Sequence, residues 1–226
     1  MSANHAAFNL IFRFVENYIS PIAGRISSQR HVMAIRDGFI SAMPFMIVGS
    51  FLLVFAYPPF SPDTTWGFAR AWLDLAKEFE GRILTPFDMT MGIMSIYICA
   101  AISYNLGKHY EKSNQLDPFM CAMLSIMAFL LIAAPKTNGT LPVDSLGGTG
   151  IFTAILVAIY CVEMMRFLKA HNIGIRLPDQ VPPMIKNSFD LLIPVLVVVL
   201  TLYPLVAILV IVAQPFKAKK RDLFGR

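Results

Sequence analysis

The chain has 226 residues, of which 56% are hydrophobic and only 15% charged, against roughly 25% charged in a soluble globular domain. That balance excludes a soluble domain and predicts an integral membrane protein. The formal net charge is +5, but Lys217, Lys219, Lys220, Arg221 and Arg226, less Asp222, supply +4 of it; no basic stripe interleaved with aromatics occurs elsewhere, so no nucleic-acid partner is expected.

The first 37 residues read as an amphipathic segment. Phe8, Ile11, Phe12, Val15, Tyr18 and Ile19 recur at helical spacing, with Asn9, Arg13, Glu16 and Asn17 between them. Arg13 and Glu16 break the apolar run, which predicts a helix lying along the membrane surface; packing against a partner helix would give the same pattern. No uninterrupted apolar stretch precedes Gly38, so a cleaved signal peptide is not expected.

A transmembrane region is predicted over 38–213. Span one, 38–57, has no charge, is opened by Arg36-Asp37, is stopped by Pro58-Pro59 and contains Pro44. Its twenty residues reach across about 30 Å of hydrocarbon. In the loop that follows, Phe68, Trp72, Leu75 and Phe79 share one helical face while Arg70, Asp74, Lys77 and Glu78 gather on the other. This predicts a second interfacial helix, with Trp66 and Trp72 at headgroup level; a tryptophan stacking on a sugar is the sharper alternative.

Span two is placed at 89–107 and span three at 118–134, joined by a short polar link that forces an antiparallel hairpin. Span four, 148–167, begins in "SLGGTG" and ends through Glu163 and Arg166, one turn apart and able to pair or to snorkel. Span five, 191–213, has no charge and 17 of 23 residues that are Leu, Ile or Val, worth roughly −5 to −10 kcal/mol on the insertion scale. Pro194 and Pro204 are expected to bend it. A basic tail, 214–226, follows. The fold class is therefore an all-α polytopic membrane protein with about five transmembrane helices plus interfacial amphipathic helices.

Lys and Arg number four before span one, then three, two, one and four in successive connections, with five in the tail. A cytoplasmic N-terminus puts ten of these inside and four in the outer loops, as the positive-inside rule requires. The five-span count then sends the basic tail outside, which the rule disfavours.

Chemistry-bearing residues are sparse. Cys99, Cys121 and Cys161 sit in apolar runs without CxxC spacing and are read as packing residues. His5, His31, His109 and His171 fall in polar stretches and are read as solvated loop residues. Asp88, at the mouth of span two, is read as the cap of the helix that follows it. Gly92, Ser95, Cys99 and Ser103 place small side chains along one helical face, a pattern suited to helix–helix contact. No catalytic residue, metal-ligand set or cofactor motif is assigned.

In "RLPDQVPPMIKNSFDLLIP", Pro178 and Pro182 push their predecessors toward extended backbone, so this stretch cannot prolong the fourth helix. Pro183 suits the first turn of a new one, with Met184, Ile185, Ser188, Phe189 and Leu192 predicted on its inward face.

Three stretches, "QRHVMAIRDGFISAMPFMIVGSF" from Gln29, "LTPFDMTMGIMSIYICAAISYNLGKHYE" from Leu84 and "LPDQVPPMIKNSFDLLIP" from Leu177, resemble the membrane permease (IIC) component of the bacterial phosphoenolpyruvate-dependent sugar phosphotransferase system, of the lactose/cellobiose/diacetylchitobiose type. The resemblance covers roughly residues 8–200. It implies a homodimeric multi-pass protein of the bacterial inner membrane, whose amino-terminal helices form the scaffold and dimer contact and whose carboxy-terminal helices bind a disaccharide. It also implies cytoplasmic phosphocarrier partners, one of which phosphorylates the sugar through a phosphocysteine, so the permease is not itself an enzyme. Members of that family are about twice as long. The half carrying their sugar-contacting His and Glu has no counterpart here, so substrate-binding residues are not assignable. The sequence is accordingly expected to be a truncated permease, such as a frameshifted gene would give; a half-size scaffold that only dimerises, or one whose basic tail touches anionic lipid, is the alternative.

Overall fold

The span between Arg30 and Ala56 has to satisfy its own backbone hydrogen bonds wherever water is absent, and a helix is the local solution for such an apolar run. A computed structural model of the chain describes residues 16–17, 20–134, 142–175, 178, 180–206 and 208. Among these, regular structure is helical: α1 Ser20–Ser27, α2 Arg30–Ala56, α3 Gly67–Asp88, α4 Met94–Asn114, α5 Pro118–Ala133, α6 Ile151–Ala170, α7 Pro183–Asp190 and α8 Leu192–Val206. Two helices are long and apolar enough to cross a membrane by length and composition, α2 and the stretch Gly148–Ala170 that contains α6, while α5 and α8 are apolar but shorter. The first expected surface helix, apart from its last residues, and the basic tail lie outside the described residues.

The register of the bundle follows from where small residues let backbones meet. α4 packs against α2, α5 and α6. It runs antiparallel to α2: Gly38 sits against Ile102, and Gly49 against Met91 and Thr90 further along. It is antiparallel to α5 as well, with Gly107 against Pro118 and Cys121 at one end and the Cys99 thiol 3.5 Å from the Ser125 carbonyl further in. It is parallel to α6, because Ser95 at its start donates to the Gly147 carbonyl while Tyr110 near its end reaches Glu163. α8 returns antiparallel to α6, tied by Tyr160 and Thr201, whose hydroxyls lie 2.6 Å apart. Ser95, Cys99 and Ser103 are fully buried on α4, so the small-residue face is consumed within the chain. The three cysteines are free and buried, as packing residues should be.

Helix ends follow local rules. Asp117 caps α5, its Oδ1 accepting from the backbone N–H of Phe119 at 2.9 Å and of Met120 at 3.3 Å, with Pro118 in the first turn; such a cap is worth about 1 kcal/mol. Gln115, at φ 52°, turns the chain from α4 into that cap and makes the expected antiparallel hairpin. α6 ends in a Schellman arrangement: Asn172 takes φ 56°, and the Ile173 N–H reaches back 2.9 Å to the Leu168 carbonyl. The proline-rich connector therefore follows a closed helix end, and Pro183 opens α7.

Several boundaries differ from the sequence reading. α2 begins eight residues before the expected span, and its 27 residues make about 40 Å, more than the hydrocarbon needs. Arg36 and Asp37 do not interrupt it, because they neutralise each other at 2.8 Å on its exposed side. α4 starts five residues later than expected. Asp88 is the exposed last residue of α3 and not a cap; Met89–Ile93 form a turn, and Ile93 precedes α4 without a side-chain cap. Gly92 permits that turn, since a Cβ there would meet the Asp88 carbonyl oxygen at 2.5 Å. On the connector's far side, Ile185, Phe189 and Leu192 are exposed, at 46%, 41% and 51%, contrary to the inward face expected for them. In a helix of two turns the periodicity marks an apolar face without deciding whether a neighbouring element covers it.

The close approach at Gly38 gives a direct test. Gly38→Ala places a methyl 2.9 Å from the Ile102 backbone nitrogen and is expected to cost about 1–3 kcal/mol by overpacking. Gly81→Ala, in mid-α3 with nothing within 4 Å, should stabilise by about 0.5–1 kcal/mol. Thermal unfolding of the two variants in detergent measures the contrast.

Candidate functional site

Among the described residues, the densest polar chemistry inside the bundle gathers on Glu163 of α6, where three helix ends converge. Its Oε1 accepts from the Tyr110 hydroxyl of α4 at 2.8 Å and lies 2.9 Å from Nε2 of His31 in the first turn of α2. Its Oε2 pairs with Arg166 Nη2, one turn further along α6, at 2.7 Å. The Glu163 side chain is 25% exposed and Tyr110 is 2% exposed. With so little access to water, this carboxylate has its lost hydration replaced by the donors turned toward it. One side chain thus joins α2, α4 and α6 at the same end of the molecule.

Tyr110 is also the platform for two guanidinium groups. The Arg166 carbon lies 4.8 Å from its ring centroid and the Arg30 carbon 5.4 Å, both within cation–π range. Tyr110 lies past the apolar part of α4. Burial pushes its phenol above the usual tyrosine range, the hydrogen bond to Glu163 and that residue's charge push it further, and the two arginines oppose them.

Beside this node is an open polar recess of about 270 Å³, lined by Asn114, Gln115, Lys169, Asn172 and Asp190 among others. Lys169 spans it, donating to the Gln115 carbonyl at 2.7 Å and lying 3.5 Å from Asp190. The recess is smaller than the usual small-molecule pocket. Two further recesses, of about 380 and 370 Å³, are apolar: one between α2, α4 and α5 around Phe45 and Tyr97, the other between α2 and α3 around Phe55 and Trp72.

Glu163 and Arg166 do pair, as their one-turn spacing predicted. His31 is not a solvated loop residue: it belongs to α2 and meets Glu163, a contact 132 positions away in sequence that local reading could not reveal. His109 is helical too, exposed on α4, while His171 closes α6 with its ring centroid 4.1 Å from that of Phe167, tilted by 40°. His5 lies outside the described residues. Trp66 and Trp72 join Phe55, Phe60 and Phe68 in an aromatic cluster with centroids 5.5–5.9 Å apart, and Trp72 Nε1 donates to the Phe55 carbonyl at 3.2 Å. Trp66 is 60% exposed, as a residue at a headgroup boundary would be.

Residues 36–216 match the model of the family described as phosphotransferase system, EIIC. The chain belongs to that family. Among the relatives of this EIIC chain, the cellobiose-specific EIIC component of Geobacillus stearothermophilus is 33% identical over 222 residues, covering 91% of this chain and 46% of the relative. The lichenan permease IIC component of Bacillus subtilis is 30% identical over 227 residues, covering 93% and 47%. Among solved structures, the transporter ChbC, the IIC component from the N,N'-diacetylchitobiose-specific phosphotransferase system, superposes with a TM-score of 0.70 at 33% identity, over 85% of this chain and 46% of its own. The EIIC chain thus spans about half the length of these relatives.

Glu163→Gln keeps the shape and removes the charge, and should cost about 1.5–3 kcal/mol, the worth of hydrogen bonds to a charged group. Because the folded Tyr110 has the higher pKa, the stability its protonated form contributes is complete below the ordinary tyrosine value of about 10 and is lost as pH rises through the folded value. Absorbance titration of the tyrosines should therefore show late-ionising groups, Tyr110 among them together with Tyr57, which is hydrogen-bonded to Glu80. The Tyr110 contribution should vanish in Tyr110→Phe and shift earlier in Glu163→Gln, while that of Tyr57 should stay.

Proposed function

We propose that this chain forms the membrane-embedded scaffold portion of a phosphotransferase-system sugar permease that handles a β-disaccharide of the cellobiose, chitobiose or lactose kind. The observation that carries this reading is the superposition on 85% of this chain but 46% of ChbC, with the family match running from within α2 through α8. In this reading the sugar-gripping elements belong to the other half of a full-length permease, and phosphoryl transfer belongs to separate cytoplasmic phosphocarrier components. The chain itself is a transporter component and not an enzyme.

Five crossings by α2, α4, α5, α6 and α8 are the proposed topology, with a cytoplasmic N-terminus. The alternating directions of these helices support it, since each successive one runs opposite to the one before. So does the charge count, with ten Lys and Arg on the inner segments against four in the outer loops. Membrane lipid then covers the exposed apolar side chains of α2, among them Ile47, Val48, Phe51 and Phe55, and a second copy of the chain completes a homodimer.

Uptake of labelled cellobiose, chitobiose and lactose into a permease-deleted strain tests the proposal. This chain alone should give background uptake, and co-expression with the carboxy-terminal half of a cellobiose EIIC should restore transport of one of the three. Uptake by the chain alone would overturn the division of labour, and no recovery with any partner half would overturn the scaffold role. A cysteine placed at Gly24 should react with a membrane-impermeant maleimide only in inside-out vesicles.

A further inference from the structure

α8 has two unlike sides. Leu191, just ahead of it, and Val195, Val198 and Leu202 on the helix belong to the core of the bundle, and Thr201 ties the helix to Tyr160 of α6. On another side Ile185, Phe189, Leu192, Leu196, Leu200 and Tyr203 follow one another at intervals of three or four residues, each between 41% and 63% exposed. That is the spacing of one helical stripe, and it runs from α7 past Leu191 into α8. Asp190, the residue after Phe189, meets Lys169 at 3.5 Å, so α7 is held to the end of α6 by a polar contact while Ile185 and Phe189 stay uncovered.

In this bundle each of the later spans packs against the one that follows it: α4 against α5, α5 against α6, and α6 against α8 through Tyr160 and Thr201. Helices joined in sequence are commonly neighbours in space for this reason. No described span follows α8, and its outward stripe has no counterpart among the described residues. ChbC is matched over only 46% of its length, so a full-length permease has as much chain again to place against this bundle. The stripe also starts outside the hydrocarbon of the five-span topology. The uncharged stretch 191–213 crosses about 30 Å of hydrocarbon by itself, which leaves Ile185 and Phe189 before the entry point, where acyl chains do not cover them. The six stripe residues carry no charge, so they offer packing volume to a helix and not ion pairs to a soluble protein.

We propose that the stripe from Ile185 to Tyr203 is the seat of a membrane-spanning helix from the other half of a full-length permease. The assignment rests on the scaffold reading above. Photo-crosslinking identifies the occupant: the full chain, with p-benzoyl-phenylalanine in place of Phe189, of Leu196 or, as a control, of Val48 on α2, is co-expressed with the carboxy-terminal half of a cellobiose EIIC and irradiated in membranes, and the adducts are identified by mass spectrometry. Both stripe positions should give an adduct with the co-expressed half, and Val48 should give none. Leu196→Ala/Leu200→Ala should lower the amount of that half co-purifying in detergent roughly fivefold, as truncation of two interface side chains implies, and Ile47→Ala/Phe51→Ala, on the exposed face of α2, should leave it unchanged. Adducts with a second copy of this chain would make the stripe a dimer face, adducts with lipid alone would make it bilayer-facing, and equal adducts at Val48 would remove its specificity; each overturns the proposal. Where the co-expressed half restores uptake and yet forms no adduct at the stripe, this assignment fails and the scaffold reading stands. Where no half restores uptake, the scaffold reading fails and takes the assignment with it.

Discussion

The contact on which the structure depends is the close approach of α4 to three other helices. Lipid offers no hydrophobic force to drive helices together, so association rests on packing and on hydrogen bonds made where backbones come near. Ser95, Cys99, Ser103 and Gly107 thin α4 on the sides it buries, and Gly38 and Gly49 do the same for α2. With larger residues at these positions the helices would stand further apart, Tyr110 would not reach Glu163, and the polar node at the helix ends would not close. The small residues thus determine both the register of the bundle and the chemistry at its edge.

That chemistry is unusual in its economy of charge. A single carboxylate satisfies a histidine, a phenol and a guanidinium drawn from three helices. Leaving the buried Tyr110 hydroxyl without an acceptor would cost more than the bond itself contributes, so that part of the node resists opening. It fixes the end of the bundle from which the proline-rich connector departs. The Schellman end of α6 and the Lys169–Asp190 contact then bring α7 back against that end. The place of the proline-rich connector follows: it lies between the closed end of α6 and α7, and the apolar α8 comes after them.

The opposite end is organised by aromatic rings. Trp72 binds the last turn of α2 through the Phe55 carbonyl, and Phe55, Phe60, Trp66 and Phe68 gather about it, so α3 is anchored by the side chains best suited to a boundary between oil and water. Its amphipathic pattern continues through Pro86 to Asp88. The loop between α2 and α4 is therefore mostly one helix, and the turn at Met89–Ile93 alone separates it from α4.

Composition and periodicity were enough to make the chain a helical membrane protein, to place α5, α6 and the end of α2 within a few residues, to find an amphipathic helix where α3 lies, and to pair Glu163 with Arg166. These depend on apolar content and on contacts three or four positions apart, which a linear sequence states openly. The hairpin at Gln115, the α6 stop and the start at Pro183 were legible for the same reason, since caps and prolines act locally. The place of His31, the role of Tyr110 and the burial of the α4 small-residue face were decided only by the tertiary structure. Each depends on which helices become neighbours, and that is set by complementary side-chain volumes at positions far apart in the chain. The extent of α2 was obscured for a related reason: Arg36 and Asp37 look like a boundary until their mutual neutralisation on an exposed helix face is seen.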